Sequence, residues 1–136
     1  MSPISLLYAR AYIHSTEDPV RVIRALKNVV EGRYAVKTAV GHYKNLIHIV
    51  EIKLVDWDAF EALKSIISRL DDVEFTLFLS GAEKNRLYVK FDKQHAYRGL
   101  LRVSRGDDVI FLEVRSRSLV VDDMRQLLSS LKQKYH

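Results

Sequence analysis

From Leu7 to His14 the side chains alternate: Leu7, Ala9, Ala11 and Ile13 fall on one side, and Tyr8, Arg10, Tyr12 and His14 on the other. A run of that period is a strand with one buried face, here extending from about Ile4 to Ile13. The next residues cannot continue it. Ser15-Thr16-Glu17-Asp18-Pro19 supplies a hydroxyl cap, two acids suited to the positive end of a helix, and a proline in the first turn, where no N–H is required. Val22, Ile23, Leu26, Val29 and Val30 then share one helical face, Arg21, Arg24 and Lys27 project from another, and Gly32 marks the end. A half-buried strand followed at once by a helix able to cover it restricts the chain to folds that lay helices on a sheet.

The remaining segments fit that restriction. Strands are expected over Tyr34 to Val40 and Leu46 to Val55, joined as a hairpin by Gly41-His42-Tyr43-Lys44-Asn45. Asp56 or Asp58 is the expected cap of a second helix with Phe60, Leu63, Ile67 and Leu70 on one face. Glu74 to Leu79 reads as a strand, Ser80 to Asn85 as a turn, and Arg86 to Phe91 as the hairpin partner. A strand from about Asp108 to Arg115 and a helix from about Val120 to Lys134, burying Met124, Leu127, Leu128 and Leu131, complete the chain. The order β-α-β-β-α-β-β, a short helix or turn, then β-α predicts one α+β domain over residues 1–136. Its sheet is expected to be mixed, largely antiparallel, with the helices packed on one face. Strand order, and with it any edge-to-edge dimer, is not legible at this level.

Composition narrows the function. At 136 residues the chain is long enough to bury about two thirds of its unfolded surface. It has no cysteine, which excludes disulfides, a thiolate nucleophile and Cys-based metal sites. Apolar runs such as Val109-Ile110-Phe111-Leu112 are far too short for a bilayer span. Met1 to Leu7 lacks a basic region, which argues against a signal peptide and makes the cytoplasm the default location. No Gly-rich phosphate loop, serine elbow or two-histidine helix is present, so no cofactor is called for and catalysis is not expected. His42 and His48 have no chelating spacing, Asp92 and His95 have no nucleophile beside them, and Asp71-Asp72 reads as solvated loop carboxylates.

Charge is the positive clue. The net charge is +5, and between residues 84 and 105 Lys84, Arg86, Lys90, Lys93, Arg98, Arg102 and Arg105 face only Asp92. Residues 56–83 are acidic by contrast. Clustered cations suit a polyanion through counterion release, but a net charge this modest is by itself better explained by a solvated basic face. If Leu87, Val89 and Phe91 pack on the helices, Arg86, Tyr88 and Lys90 face away with Tyr8, Arg10, Tyr12 and His14. Aromatics interleaved with cations on an open sheet stack single-stranded RNA bases at about 1–3 kcal/mol each. Cross-strand pairing accounts for the same residues as well.

Three stretches carry a likeness: Ile13-His14-Ser15-Thr16-Glu17-Asp18, Gly41-His42-Tyr43-Lys44-Asn45, and Val89-Lys90-Phe91-Asp92-Lys93-Gln94-His95-Ala96-Tyr97-Arg98-Gly99. In order and spacing they resemble an archaeal family of small proteins described as predicted exosome subunits, or RNA-binding proteins with a fold similar to ribosomal protein L5. Phe-Asp-Lys-Gln-x-Ala-Tyr is the most distinctive part. The resemblance implies an α+β fold like that of ribosomal protein L5, a non-catalytic role in RNA processing or degradation, and no catalytic residues to carry over. Two positions depart from the family. Lys44 stands where its turn usually has a second glycine, which predicts a turn without positive φ there and adds a cation. His95 stands where a small residue is common.

On these residues Phe91 to Gly99 is expected to run from a strand into a short helical turn capped by Asp92, with Ala96 and Tyr97 packed beneath. Lys90, Lys93, Arg98 and Arg102 are the expected phosphate contacts, and Gln94 or His95 the expected reader of a 2′-hydroxyl or base edge. His42, Tyr43 and Lys44 form a second candidate RNA contact, and Arg21, Arg24 and Lys27 a third basic row. The leading expectation is an RNA-binding accessory protein. The alternative is an adaptor that docks on exosome or ribonuclease P proteins without touching RNA, using the acidic stretch. A small-molecule domain ranks behind both, because no pocket fingerprint is visible.

Overall fold

The computed structural model describes residues 1–41 and 43–135. Its strands are β1 (Ile4–Ile13), β2 (Tyr34–Val40), β3 (Leu46–Val55), β4 (Ala82–Glu83), β5 (Arg86–Asp92) and β6 (Val109–Ser116). Its helices are α1 (Pro19–Val29), α2 (Asp56–Ser68), α3 (Asp72–Leu79), α4 (Lys93–Tyr97) and α5 (Met124–Tyr135). The strands form one six-stranded sheet in the order β2-β3-β1-β6-β5-β4. Every described ladder is antiparallel. This is a single α+β domain.

The alternation seen in the sequence sets the two faces. Leu7, Ala9 and Ala11 of β1, Val50 and Ile52 of β3, Leu87 and Phe91 of β5, and Ile110, Leu112 and Val114 of β6 are almost fully buried. They meet Val22, Leu26 and Val29 of α1, Leu63 and Ile66 of α2, and Met124 and Leu128 of α5. Their neighbours along each strand, among them Tyr8, Arg10, Tyr88, Lys90 and Glu113, are half-buried or exposed. The sheet therefore has one covered and one open face, as one-sided alternation requires. Near its start β1 slips register between Ile4 and Leu6 against β6, a bulge that lets both Ile4 and Leu7 point into the core.

Several boundaries differ from expectation. Glu74 to Leu79 is not a strand but part of α3, because Asp71 accepts the Glu74 N–H at 2.8 Å and caps a helix. Phe75 and Phe78, three apart, then reach the core together. The hairpin partner of β5 is instead β4, with Ala82 opposite Leu87 and Glu83 opposite Arg86. The cap of α1 is Asp18, accepting from the Val20 N–H at 3.0 Å, rather than a hydroxyl. Neither Asp56 nor Asp58 caps α2: β3 runs directly into it, with Asp56 at φ 52° and its carboxylate paired with Arg117. The last helix begins at Met124, after a turn in which the Arg117 carbonyl accepts from Val121 N–H at 2.8 Å. Among the described residues no helix is long and apolar enough to cross a membrane.

Candidate functional site

β1, β6 and β5 lie side by side, so the open face carries two cross-strand rows. Tyr8 and Tyr88 both lie opposite Glu113, and Arg10 and Lys90 both lie opposite Phe111. The Arg10 guanidinium sits 4.9 Å from the Phe111 ring centre and 5.8 Å from that of Tyr12, and the Lys90 ammonium lies 5.9 Å from Phe111. Tyr12 meets Phe111 edge to face at 6.0 Å. These are cation–π and aromatic pair distances, and they hold a block of positive charge against π surface.

The block is anchored at its edges. The Tyr8 hydroxyl donates to Glu51, and Lys37 pairs with the same carboxylate at 2.8 Å. Lys37 and Tyr8 hold the Glu51 carboxyl below its usual range, although burial works the other way. Burial, and then the bond to Glu51, pushes the Tyr8 phenol up to about 12. A phenol raised from 10.0 to about 12 contributes stability that is intact below pH 10 and lost as pH climbs to about 12. Tyr8→Phe is therefore expected to remove one late-titrating phenol from an ultraviolet alkaline titration and to flatten the loss of stability in that window.

The structure scatters the basic residues of 84–105 instead of gathering them. Lys90 is exposed on the open face. Lys93, expected at the surface, is only 3% exposed. Its ammonium donates to the Tyr12 carbonyl at 2.9 Å and meets Glu17 at 3.1 Å and Asp108 at 2.9 Å, so its donors are fully used. Burial opposes the charge of Asp108, but the hydrogen bonds from Gln94 and Lys93 outweigh it and hold that carboxyl below its usual range. Gln94 is exposed, with its amide donating to Asp108 at 2.9 Å. Arg102 lies beside α3, paired with Asp71 at 3.4 Å. Arg98 is exposed at the end of α4. His14, Glu17 and Asp108 bring possible ligand atoms within 4.8 Å, but the Lys93 ammonium already bonds both carboxylates.

Around Phe91 the local expectations hold. Asp92 accepts the His95 N–H at 2.8 Å and caps α4, Ala96 is fully buried and Tyr97 packs against the core. At the β2–β3 tip Tyr43 and Lys44 are exposed, while His42 lies outside the described residues. The turn does not avoid positive φ: Lys44 takes φ 63°, so a lysine occupies a conformation that glycine adopts more cheaply. Arg21 stacks over Tyr97 at 4.9 Å.

Phe111 and Glu113 belong to the same face, and no motif singles them out. Their signal was the alternation of β6 itself, in which Phe111, Glu113 and Arg115 interleave with Ile110, Leu112 and Val114. An aromatic out of phase with the core belongs to the open face.

Known proteins share this architecture and part of the sequence. A structure described as Mth689, a DUF54 protein from Methanothermobacter thermautotrophicus, superposes with a TM-score of 0.75 over 97% of each chain, at 22% identity. The DUF54 protein SSO0741 from Sulfolobus solfataricus superposes with a TM-score of 0.75 at 25% identity, covering 96% of each chain. In sequence the chain is 29% identical over 124 residues to RNA-binding protein PAB1135 of Pyrococcus abyssi, spanning 80% of this chain and 79% of that one. It is 34% identical over 114 residues to uncharacterized protein MJ0213 of Methanocaldococcus jannaschii, spanning 74% and 76% respectively. A family model described as RNA binding matches residues 7–116, which include most of β1 and all of β5 and β6 and so the whole open-face block, and the chain belongs to that family.

Proposed function

We propose that the protein binds RNA on the open face of its sheet, without catalysing a reaction on it. The observation that carries this reading is the Arg10–Phe111–Lys90 row with Tyr8, Tyr12 and Tyr88 around it, on the face opposite the one that the described helices pack against. Cations there neutralise phosphates, and the aromatic rings offer stacking surface that tolerates any base. Arg98, and Tyr43 and Lys44 at the hairpin tip together with their sequence neighbour His42, serve as outlying contacts for a longer strand. Arg102 and Gln94 are committed to carboxylates, and Lys93 is structural. The resemblance of Phe91 to Gly99 to predicted exosome subunits, and to a fold like that of ribosomal protein L5, supports the finer reading of an accessory in archaeal RNA degradation, acting in the cytoplasm.

The test is a titration of fluorescent single-stranded and duplex RNA at several salt concentrations, with wild type and Arg10→Gln/Lys90→Gln. Each single-strand phosphate contact contributes about −0.7 to the log–log salt slope, so losing two should flatten it by about 1.4. Affinity should fall by about tenfold or more, while Arg102→Gln should change it little. Absence of binding to any RNA at low salt would overturn the reading and leave the acidic α2–α3 surface as a docking site for a protein.

A further inference from the structure

The two open-face rows enclose a hollow of about 280 Å³ lined by Tyr8, Tyr88, Arg10, Lys90, Phe111 and Glu113. It lies below the range of ordinary small-molecule pockets, about 300–1,000 Å³, and is scaled to a single ring system. Tyr8 and Tyr88 flank Glu113 from the strands on either side. Strands stand about 4.8 Å apart, which puts the two tyrosine backbones about 10 Å from each other. A planar base between two rings needs about 7 Å, twice the 3.4 Å rise of stacked bases. The Tyr8 hydroxyl donates to Glu51, and the Tyr88 hydroxyl accepts from Arg86 at 3.1 Å.

Between the walls is a carboxylate. Arg115 Nε holds Oε2 of Glu113 at 2.8 Å, the exposed Arg86 guanidinium feels the same charge, and Oε1 accepts no hydrogen bond among the described residues. A carboxylate only accepts hydrogen bonds, and a base that meets it best presents two adjacent donors. Guanine does so on its Watson–Crick edge, through N1–H and N2–H. Adenine and cytosine offer one amino group beside a ring nitrogen acceptor, and uracil one N–H between two carbonyls. Arg10 and Lys90 lie in the adjacent cross-strand row, opposite Phe111.

We infer that this hollow is a base-specific subsite: an unpaired guanine stacks between Tyr8 and Tyr88 and is read by the Glu113 carboxylate. The inference rests on the open-face reading of RNA binding and adds a base preference to it.

The experiment measures binding of uridine decamers carrying one central guanosine, inosine, adenosine or cytidine, to wild type, Glu113→Gln and Tyr88→Leu, each first checked for its native fold. A bidentate contact discriminates by about 1–3 kcal/mol, so the guanosine oligomer should bind about tenfold tighter than the others. Inosine, which lacks the N2 amino group, should lose most of that advantage. Glu113→Gln, whose amide offers one donor and one acceptor in place of two acceptors, should lose the preference for guanosine over adenosine and cytidine. Tyr88→Leu should weaken all four. Equal binding of every oligomer by wild type overturns the guanine subsite and leaves RNA binding standing, as does a guanosine preference that survives Glu113→Gln. No binding of any oligomer at low salt overturns both.

Discussion

Lys93→Met is expected to destabilise the protein by about 2–4 kcal/mol, read as a drop in the urea midpoint with an unchanged slope. The change keeps the side chain's bulk and removes the ammonium that bonds both Glu17 and Asp108 at the junction of β1, α1, α4 and β6. Breaking a buried pair costs about 3–5 kcal/mol when the stranded charge stays dry. Glu17 is 21% exposed and Asp108 46% exposed, so water relieves part of the penalty. Neutralising the acids as well, in Lys93→Met/Glu17→Gln/Asp108→Asn, should recover much of the loss. A single variant as stable as wild type would show that the ammonium is not a structural cation.

The same cluster has a pH signature. The Asp108 carboxyl is held below its ordinary 3.8, so its share of stability is present above that value and lost as pH falls through the lower native one. Lys93→Met should make the acid limb of the stability curve shallower. RNA affinity of the folded variant, measured at neutral pH, should stay near wild type, which separates a structural lysine from a phosphate contact.

Phe78→Ala should cost about 3–5 kcal/mol. Phe78 is fully buried and stacks on Phe91 at 6.1 Å and on Phe75 at 6.4 Å, so truncation opens a cavity where α3 meets β5. A domain of this kind has about 5–15 kcal/mol to lose, so the alanine variant will be largely unfolded at modest denaturant. Phe78→Leu, which refills most of the space, should cost roughly half as much and remain measurable. Because the residue lies on the helix side, the leucine variant should bind RNA as wild type does. An alanine variant that loses less than about 1 kcal/mol would mean that α3 is not docked through this ring.

Both positions mark where local sequence stops being informative. Strands with strict alternation, such as β1 and β5, announce their buried face in their own residues, and the capping groups of α4 are contiguous in the chain. In α3, Val73, Phe75, Leu77, Phe78 and Leu79 satisfy a two-residue period nearly as well as a helical one, and only the Asp71 cap decides. Lysine is seldom buried, and nothing beside Lys93 signals its fate; the two acids that enclose it come from the β1–α1 connection and the start of β6. The open face was half legible: Tyr8, Arg10, Tyr88 and Lys90 could be assigned to it one strand at a time. Their convergence depends on β6 lying between β1 and β5, a matter of strand order.

That order has a consequence for assembly. β1 comes first along the chain, yet it is flanked by β3 on one side and by β6, about a hundred residues later, on the other. Pairings this distant in sequence are entropically slow to close, and sheets built from them fold on millisecond to second scales. A chain that has so far collapsed only β1, α1, β2, β3 and α2 exposes an unsatisfied strand edge in the middle of the future sheet. The tyrosine walls and the carboxylate between them sit across that same seam. Ligand affinity should therefore report completion of the last long-range pairing, and RNA present during refolding should raise the final fraction of closed sheet without speeding the closing step.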